Sequence, residues 1–165
     1  MATQIDAVLA EIDLPAHMAR AANQLARLGG DAVQPLFDRL RAGQGGVSQR
    51  AALLGAIGML PRQDVLAMLA RLARSAAGDA ERETGLDLLG RVGARAELKL
   101  AIELGIPSDP ESQPGPSLRA ALASALLGIC ERERGSVRTL AGFFPRALPS
   151  AQTVIATVLA RAGGD

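Results

Sequence analysis

Apolar positions along this chain recur at helical spacing and nowhere alternate with period two. Ile5, Val8, Leu9 and Ile12 mark one stretch, and Val33, Leu36, Phe37 and Leu40 a second. Val65, Leu66, Met68, Leu69 and Leu72 form a third, Leu98, Ala101 and Ile102 a fourth, and Val137, Leu140 and Phe144 a fifth. Residues three and four apart share one face of a helix, so each stretch predicts an amphipathic helix with one side turned inward. No segment alternates β-branched or aromatic residues with polar ones, and no sheet is expected.

A second kind of segment lies between these and repeats. Gln24-Leu25-Ala26-Arg27-Leu28-Gly29, Leu53-Leu54-Gly55-Ala56-Ile57-Gly58, Leu88-Leu89-Gly90-Arg91-Val92-Gly93, Leu126-Leu127-Gly128-Ile129-Cys130 and Val158-Leu159-Ala160-Arg161-Ala162-Gly163 align on Leu25, Leu54, Leu89, Leu127 and Leu159. Upstream of the anchors stands an alanine-rich turn carrying arginine: Arg20-Ala21-Ala22, Arg50-Ala51-Ala52, Arg119-Ala120-Ala121, and a degenerate Arg82-Glu83-Thr84. One helix is written repeatedly, and pairing each copy with an intervening amphipathic stretch gives about five helical hairpins. The anchors Leu25, Leu28, Leu54, Ile57, Leu89, Val92, Leu127 and Leu159 are expected to be buried, because they recur at one phase of successive helices.

The punctuation fits this parsing. Thr3 and Asp6 have capping-box spacing, Pro15 and Pro61 suit first turns, and Ser48, Asp79, Ser117, Ser136 and Ser150 are candidate N-caps. Gly29, Gly43, Gly58, Gly93, Gly105 and Gly163 stand where helices should end in a left-handed residue. The segment Gly105 to Ser117 holds four prolines, so it is expected to be a mobile insertion of about 105–117 in the fourth repeat, within one domain spanning 1–165.

Val47-Ser48-Gln49-Arg50-Ala51-Ala52-Leu53-Leu54-Gly55-Ala56-Ile57-Gly58 resembles the inner helix of bacterial HEAT-like repeats of the phycobilisome-lyase type. Leu25 to Val33, leading into Leu36 and Leu40, looks like the passage from one such repeat to the next. The resemblance covers nearly the whole chain and is strongest in the first three copies. It implies an all-α fold, an α-solenoid of antiparallel hairpins, in which the repeated helices line the inner face. Tetratricopeptide and ankyrin repeats are disfavoured, since neither a constant period with recurrent Trp and Tyr nor a Thr-Pro-Leu-His motif is present.

Composition narrows the chemistry. Of 165 residues 48% are apolar but only Phe37, Phe143 and Phe144 are aromatic, so Ala, Leu, Val and Ile must build the core, a palette suited to close helix packing. The 18 basic and 17 acidic residues leave a net charge of +1, and seventeen of the basic residues are arginine. No global field selects for nucleic acid or an anionic membrane. Cys130 is the only cysteine, which excludes an intrachain disulfide and suits a reducing compartment. Asp6, Glu11 and Asp13 interrupt any signal-peptide core, and no apolar run reaches the roughly eighteen residues of a membrane span. A cytoplasmic location is expected.

Catalytic, cofactor and metal sites are not expected. One Cys and one His, far apart in sequence, do not make a zinc site. His17 reads as an exposed first-turn residue and Cys130 as a small core hydrophobe. Glu131-Arg132-Glu133-Arg134 reads as a solvated face. Gly43-Gln44-Gly45-Gly46 lacks the Gly-Lys-Ser/Thr of a phosphate loop.

The expected function is a non-catalytic protein-protein interaction module, an adaptor, scaffold or assembly factor, working through the groove of the repeated helices. Arg20, Arg50, Arg82 and Arg119 are the candidate contacts to a protein partner with an acidic surface; the competing reading makes them a ladder between repeats. The last helix, with Val154, Ile155 and Val158 and one charge at Arg161, is a candidate interface to a second copy. The resemblance also leaves two alternatives, a subunit of a chromophore lyase-like enzyme and a nucleic-acid-binding HEAT-like protein. The second is disfavoured by near-zero net charge and the absence of Trp and Tyr.

Overall fold

The computed structural model describes residues 2–12, 16–43, 46–75, 77–106 and 113–163. Among the described residues the chain is all-α, with ten α-helices, three short 3-10 turns and no strand. It resolves into two compact units, Met1–Met68 and Leu69–Asp165.

The first unit holds α1 (Ala2–Ile12), α2 (Met18–Arg27), α3 (Val33–Arg41), α4 (Val47–Gly58) and the start of α5 (Arg62–Arg74). α2 packs on α1 and α4, and α3 packs on α4. Ile5, Leu25, Val33, Leu36, Phe37, Leu40, Leu53, Leu54 and Ile57 are buried at helical spacing. Gly29 and Gly43 adopt φ of +66° and +65°, the left-handed conformation glycine tolerates best, and they turn the chain at the ends of α2 and α3.

The second unit holds the end of α5, α6 (Asp79–Val92), α7 (Leu98–Gly105), α8 (Pro116–Arg132), α9 (Gly135–Phe143) and α10 (Pro149–Ala162). α8 packs against both α6 and α10, with α7 on α6 and α8, and α9 on α8 and α10. Two ties fix α6 and α8 as parallel neighbours. At their starts the Gly115 amide donates to Asp79 Oδ2 at 3.3 Å; at their ends Arg132 Nη2 donates to the Gly93 carbonyl at 2.8 Å. Each places charge where a helix dipole favours it, an acid near the start of α8 and a guanidinium at the last carbonyls of α6. Between the ties the backbones nearly touch, since a Cβ on Gly90 would lie 3.1 Å from Ala125 Cα.

Several expectations change. The anticipated N-caps Ser48, Asp79, Ser117, Ser136 and Ser150 sit inside the first turns, because the helices start one or two residues earlier. Gly46, Gly78 and Gly115 stand at the N-cap positions of α4, α6 and α8, and Pro116 and Pro149 open α8 and α10, where a missing amide hydrogen costs nothing. The buried Ser136 hydroxyl finds no hydrogen-bond partner among the described residues. Gly93 and Gly163 follow helix ends without positive φ.

Of the eight anchors, Leu25, Leu54, Ile57 and Leu89 are buried, whereas Leu28, Val92, Leu127 and Leu159 are half-buried. In α8 and α10 the fully packed residue is the preceding one, Leu126 or Val158. The preceding residue is buried in the second and third copies as well, at Leu53 and Leu88, so the last two copies keep that position in the core and withdraw only the anchor. In the proline-rich segment residues 107–112 lie outside the described residues, so the mobility expected there is not addressed. Its flanks are anchored, with Ile106 and Pro114 both buried.

Candidate functional site

The four arginines singled out in the sequence have different surroundings. Arg20 on α2 is 68% exposed and pairs with Glu11 at 3.9 Å. Arg50 on α4 is half-buried and already engaged within the chain. Arg119 in the first turn of α8 is exposed.

Arg82 on α6 is buried, at 5% exposure. Its Nε donates to the Ala77 carbonyl at 3.1 Å, Nη1 to Glu103 and Leu104 at 3.3 and 3.1 Å, and Nη2 to Ala73 and Ser75 at 3.5 and 3.0 Å. A guanidinium has five N–H donors, and here all five meet backbone carbonyls. Four of those carbonyls lie at the ends of α5 and α7, helix termini that lack intrahelical partners and carry negative partial charge, and the fifth, Ala77, lies in the connection leading to α6. Arg82 therefore has no N–H to offer another molecule; it is an internal tie between helix ends.

Val154, Ile155 and Val158 are likewise spent inside the chain. All three are buried, at 5%, 0% and 1% exposure, where α10 packs on α8 and α9. As surface contacts to a second copy they are corrected to core residues: the alanines and threonines between them, Thr153, Ala156, Thr157 and Ala160, take the outer side.

The second unit has a further feature that the repeat pattern did not mark. A cleft of about 500 Å³ opens at the end of α8, lined by Leu127, Cys130, Glu131, Arg134, Val137, Arg161 and Ala162. α8 supplies the first three, the start of α9 supplies Arg134 and Val137, and the last turn of α10 supplies Arg161 and Ala162. Leu127 is half-buried because it is a wall of this opening.

The charged run 131–134 divides here. Arg132 bonds the Gly93 carbonyl, and Glu133 accepts the Arg95 amide at 2.9 Å and pairs with its guanidinium at 3.5 Å. Glu131, in the last turn of α8, and Arg134, just before α9, both line the cleft, on either side of the extended Glu133. Burial, and secondarily the Glu131 charge, push the Cys130 thiol up from 9.0, so at neutral pH the sulfur is a protonated, weakly nucleophilic wall of the cleft.

One signal for this region was legible in the sequence. Between residues 113 and 163 there are six arginines and two glutamates, a local surplus of four positive charges hidden by the near-zero total. His17, by contrast, is exposed at the start of α2, and among the described residues no three His, Cys, Asp or Glu side chains converge. No single helix among the described residues is long and apolar enough to cross a membrane.

No family model, no curated protein and no solved structure matches this chain.

Proposed function

We propose that the chain is a non-catalytic interaction module, a HEAT-like stack of about five hairpins that takes a protein partner on the solvent side of its repeated helices. The observation that carries this reading is the parallel seating of α6 and α8, tied at both ends by Asp79–Gly115 and Gly93–Arg132. Successive copies of one repeat must lie in parallel, each burying its apolar face on the next, and helices that do so leave a broad side open to solvent. The packing of α2 on α4 and of α8 on α10 supports the same reading within each unit.

The internal ties also support it. A repeat stack is held by nearest-neighbour contacts; Arg82 ties α6 to α7, and Arg132 and Glu133 tie the end of α8 to Gly93 and Arg95 just beyond α6. Arg20, Arg50 and Arg119 remain the proposed contacts among the repeated arginines, with Arg82 excluded by its burial.

The test is capture by the tagged full chain from the organism that encodes it, after nuclease treatment, followed by cross-linking. A protein partner cross-linked to α2, α4, α8 or α10 is the expected result. Capture that disappears with nuclease would replace this reading with nucleic-acid binding, and covalent bilin transfer to an apoprotein would replace it with lyase activity.

A further inference from the structure

We propose that the cleft between the ends of α8, α9 and α10 receives an acidic peptide segment of a protein partner. Carboxylates of that segment meet Arg134 and Arg161, and an aliphatic side chain packs on Leu127 and Val137. The proposal rests on the interaction-module reading and names the site and the chemistry of its occupant.

Shape and lining come first. The cleft, about 500 Å³, lies within the range in which small ligands and side chains are held, roughly 300 to 1,000 Å³. Its floor and walls are apolar at Leu127, Cys130, Val137 and Ala162, and its charged groups stand at Glu131, Arg134 and Arg161. Leu127 occupies a repeat position that is buried at Leu25, Leu54 and Leu89. In the fourth copy Leu126 stays in the core, as Leu53 and Leu88 do, while half-buried Leu127 is left as an aliphatic surface beside two guanidinium groups.

The charges decide the class of occupant. Arg132 and Glu133, within the same run, are committed to Gly93 and Arg95. Arg134 and Arg161 make no ion pair with any described residue, and the surrounding segment 113–163 has six arginines against two glutamates. A guanidinium offers planar paired donors that match a carboxylate or a phosphate. Glu131 then discriminates between them. A nucleic-acid backbone would bring uniform negative charge against this carboxylate, and no aromatic ring lines the cleft to stack a base. A peptide supplies carboxylates for the arginines and backbone N–H donors for Glu131.

The experiment uses the full chain and a fluorescent peptide alternating Glu and Leu, with its Gln/Leu counterpart, a duplex oligonucleotide and inorganic phosphate as comparison probes. The Glu/Leu peptide should bind and weaken with salt. Arg134→Gln and Arg161→Gln should each weaken it by about threefold to tenfold, while Arg91→Gln and Arg146→Gln, equal in charge change, exposed and outside the cleft, should leave it unaltered. Amide shifts of the unaltered chain on titration should cluster at 127–137 and 161–162, a readout independent of any variant.

Equal loss in all four variants, equal binding of the Gln/Leu peptide, tighter binding of the duplex or of phosphate, or shifts clustering elsewhere would each overturn the proposal. A captured protein partner whose binding survives Arg134→Gln with Arg161→Gln leaves the module reading standing and removes the cleft as its site. Absence of any protein partner removes the module reading, and peptide binding in the cleft is then judged on the titration alone.

Discussion

Gly90 and Gly128 face each other where α6 and α8 run closest: a Cβ built on Gly128 would lie 3.2 Å from the Gly90 carbonyl oxygen. The neighbour on each side is backbone, which cannot swing away as a side chain end can. Gly90→Val should therefore force the helices apart and cost about 1 to 3 kcal/mol, measured as a lower urea midpoint. Gly55 on α4 has nothing within 4 Å of its would-be Cβ, so Gly55→Ala should instead add roughly 0.5 to 1 kcal/mol through helix propensity. The pair of opposite signs tests the close approach.

Arg82→Lys should destabilise despite keeping the charge. Lysine offers three donors from one point, whereas five carbonyls around Arg82 are now satisfied by a planar fork. Each buried carbonyl left unpaired costs about 1 kcal/mol or more, so a fall of about 3 kcal/mol in unfolding free energy is expected. Arg119→Gln, at an exposed site, should stay within about 0.5 kcal/mol. Similar thermal midpoints for the two would contradict the tie.

The half-buried anchors of the last two copies give a third prediction. Leu54→Ala and Leu89→Ala remove fully packed side chains and should cost roughly 2 to 5 kcal/mol, as should Leu126→Ala. Leu127→Ala and Leu159→Ala, at half-buried positions, should cost about 1 kcal/mol or less. Urea unfolding of the five variants would show the burial pattern directly.

Ser136→Ala should raise stability. The hydroxyl is fully buried and without a hydrogen-bond partner among the described residues, so removing it relieves a desolvated polar group worth about 1 kcal/mol. A lower melting temperature in the variant would show that the hydroxyl is satisfied in solution.

Cys130 links stability to alkaline pH. Its folded pKa is raised above 9.0 by burial and then by Glu131, so the folded chain holds the thiol proton more tightly than the unfolded chain does. The stabilising contribution is complete below the ordinary thiol value and is lost as the pH climbs through the raised one. Cys130→Ala should flatten that part of the stability profile, and thiol alkylation of the folded chain should be slow at neutral pH.

The sequence by itself determined the all-α class and the ten helices, because period 3.6 and the absence of period two are local properties that any folded context must respect. It also determined most of the core in the first three copies, where Leu25, Leu54 and Leu89 are packed as the repeat required. The positive-φ turns at Gly29 and Gly43 were legible for the same reason, since a single residue meets the steric demand.

Tertiary structure decided what each repeated residue does. Arg82 and Arg119 stand near the starts of their copies, yet one is surrounded by carbonyls from the end of α5, the connection to α6 and the end of α7 and the other meets solvent, a difference set by how the neighbouring helix ends pack. Val154, Ile155 and Val158 read as an apolar side in need of a cover, and α8 and α9 are that cover. Leu127 and Arg161 became walls of one cleft only through the packing of α8 on α10. Periodicity fixes which residues share a face, whereas the element that meets that face depends on backbone approach, here at Gly90 and Gly128, which no local pattern encodes.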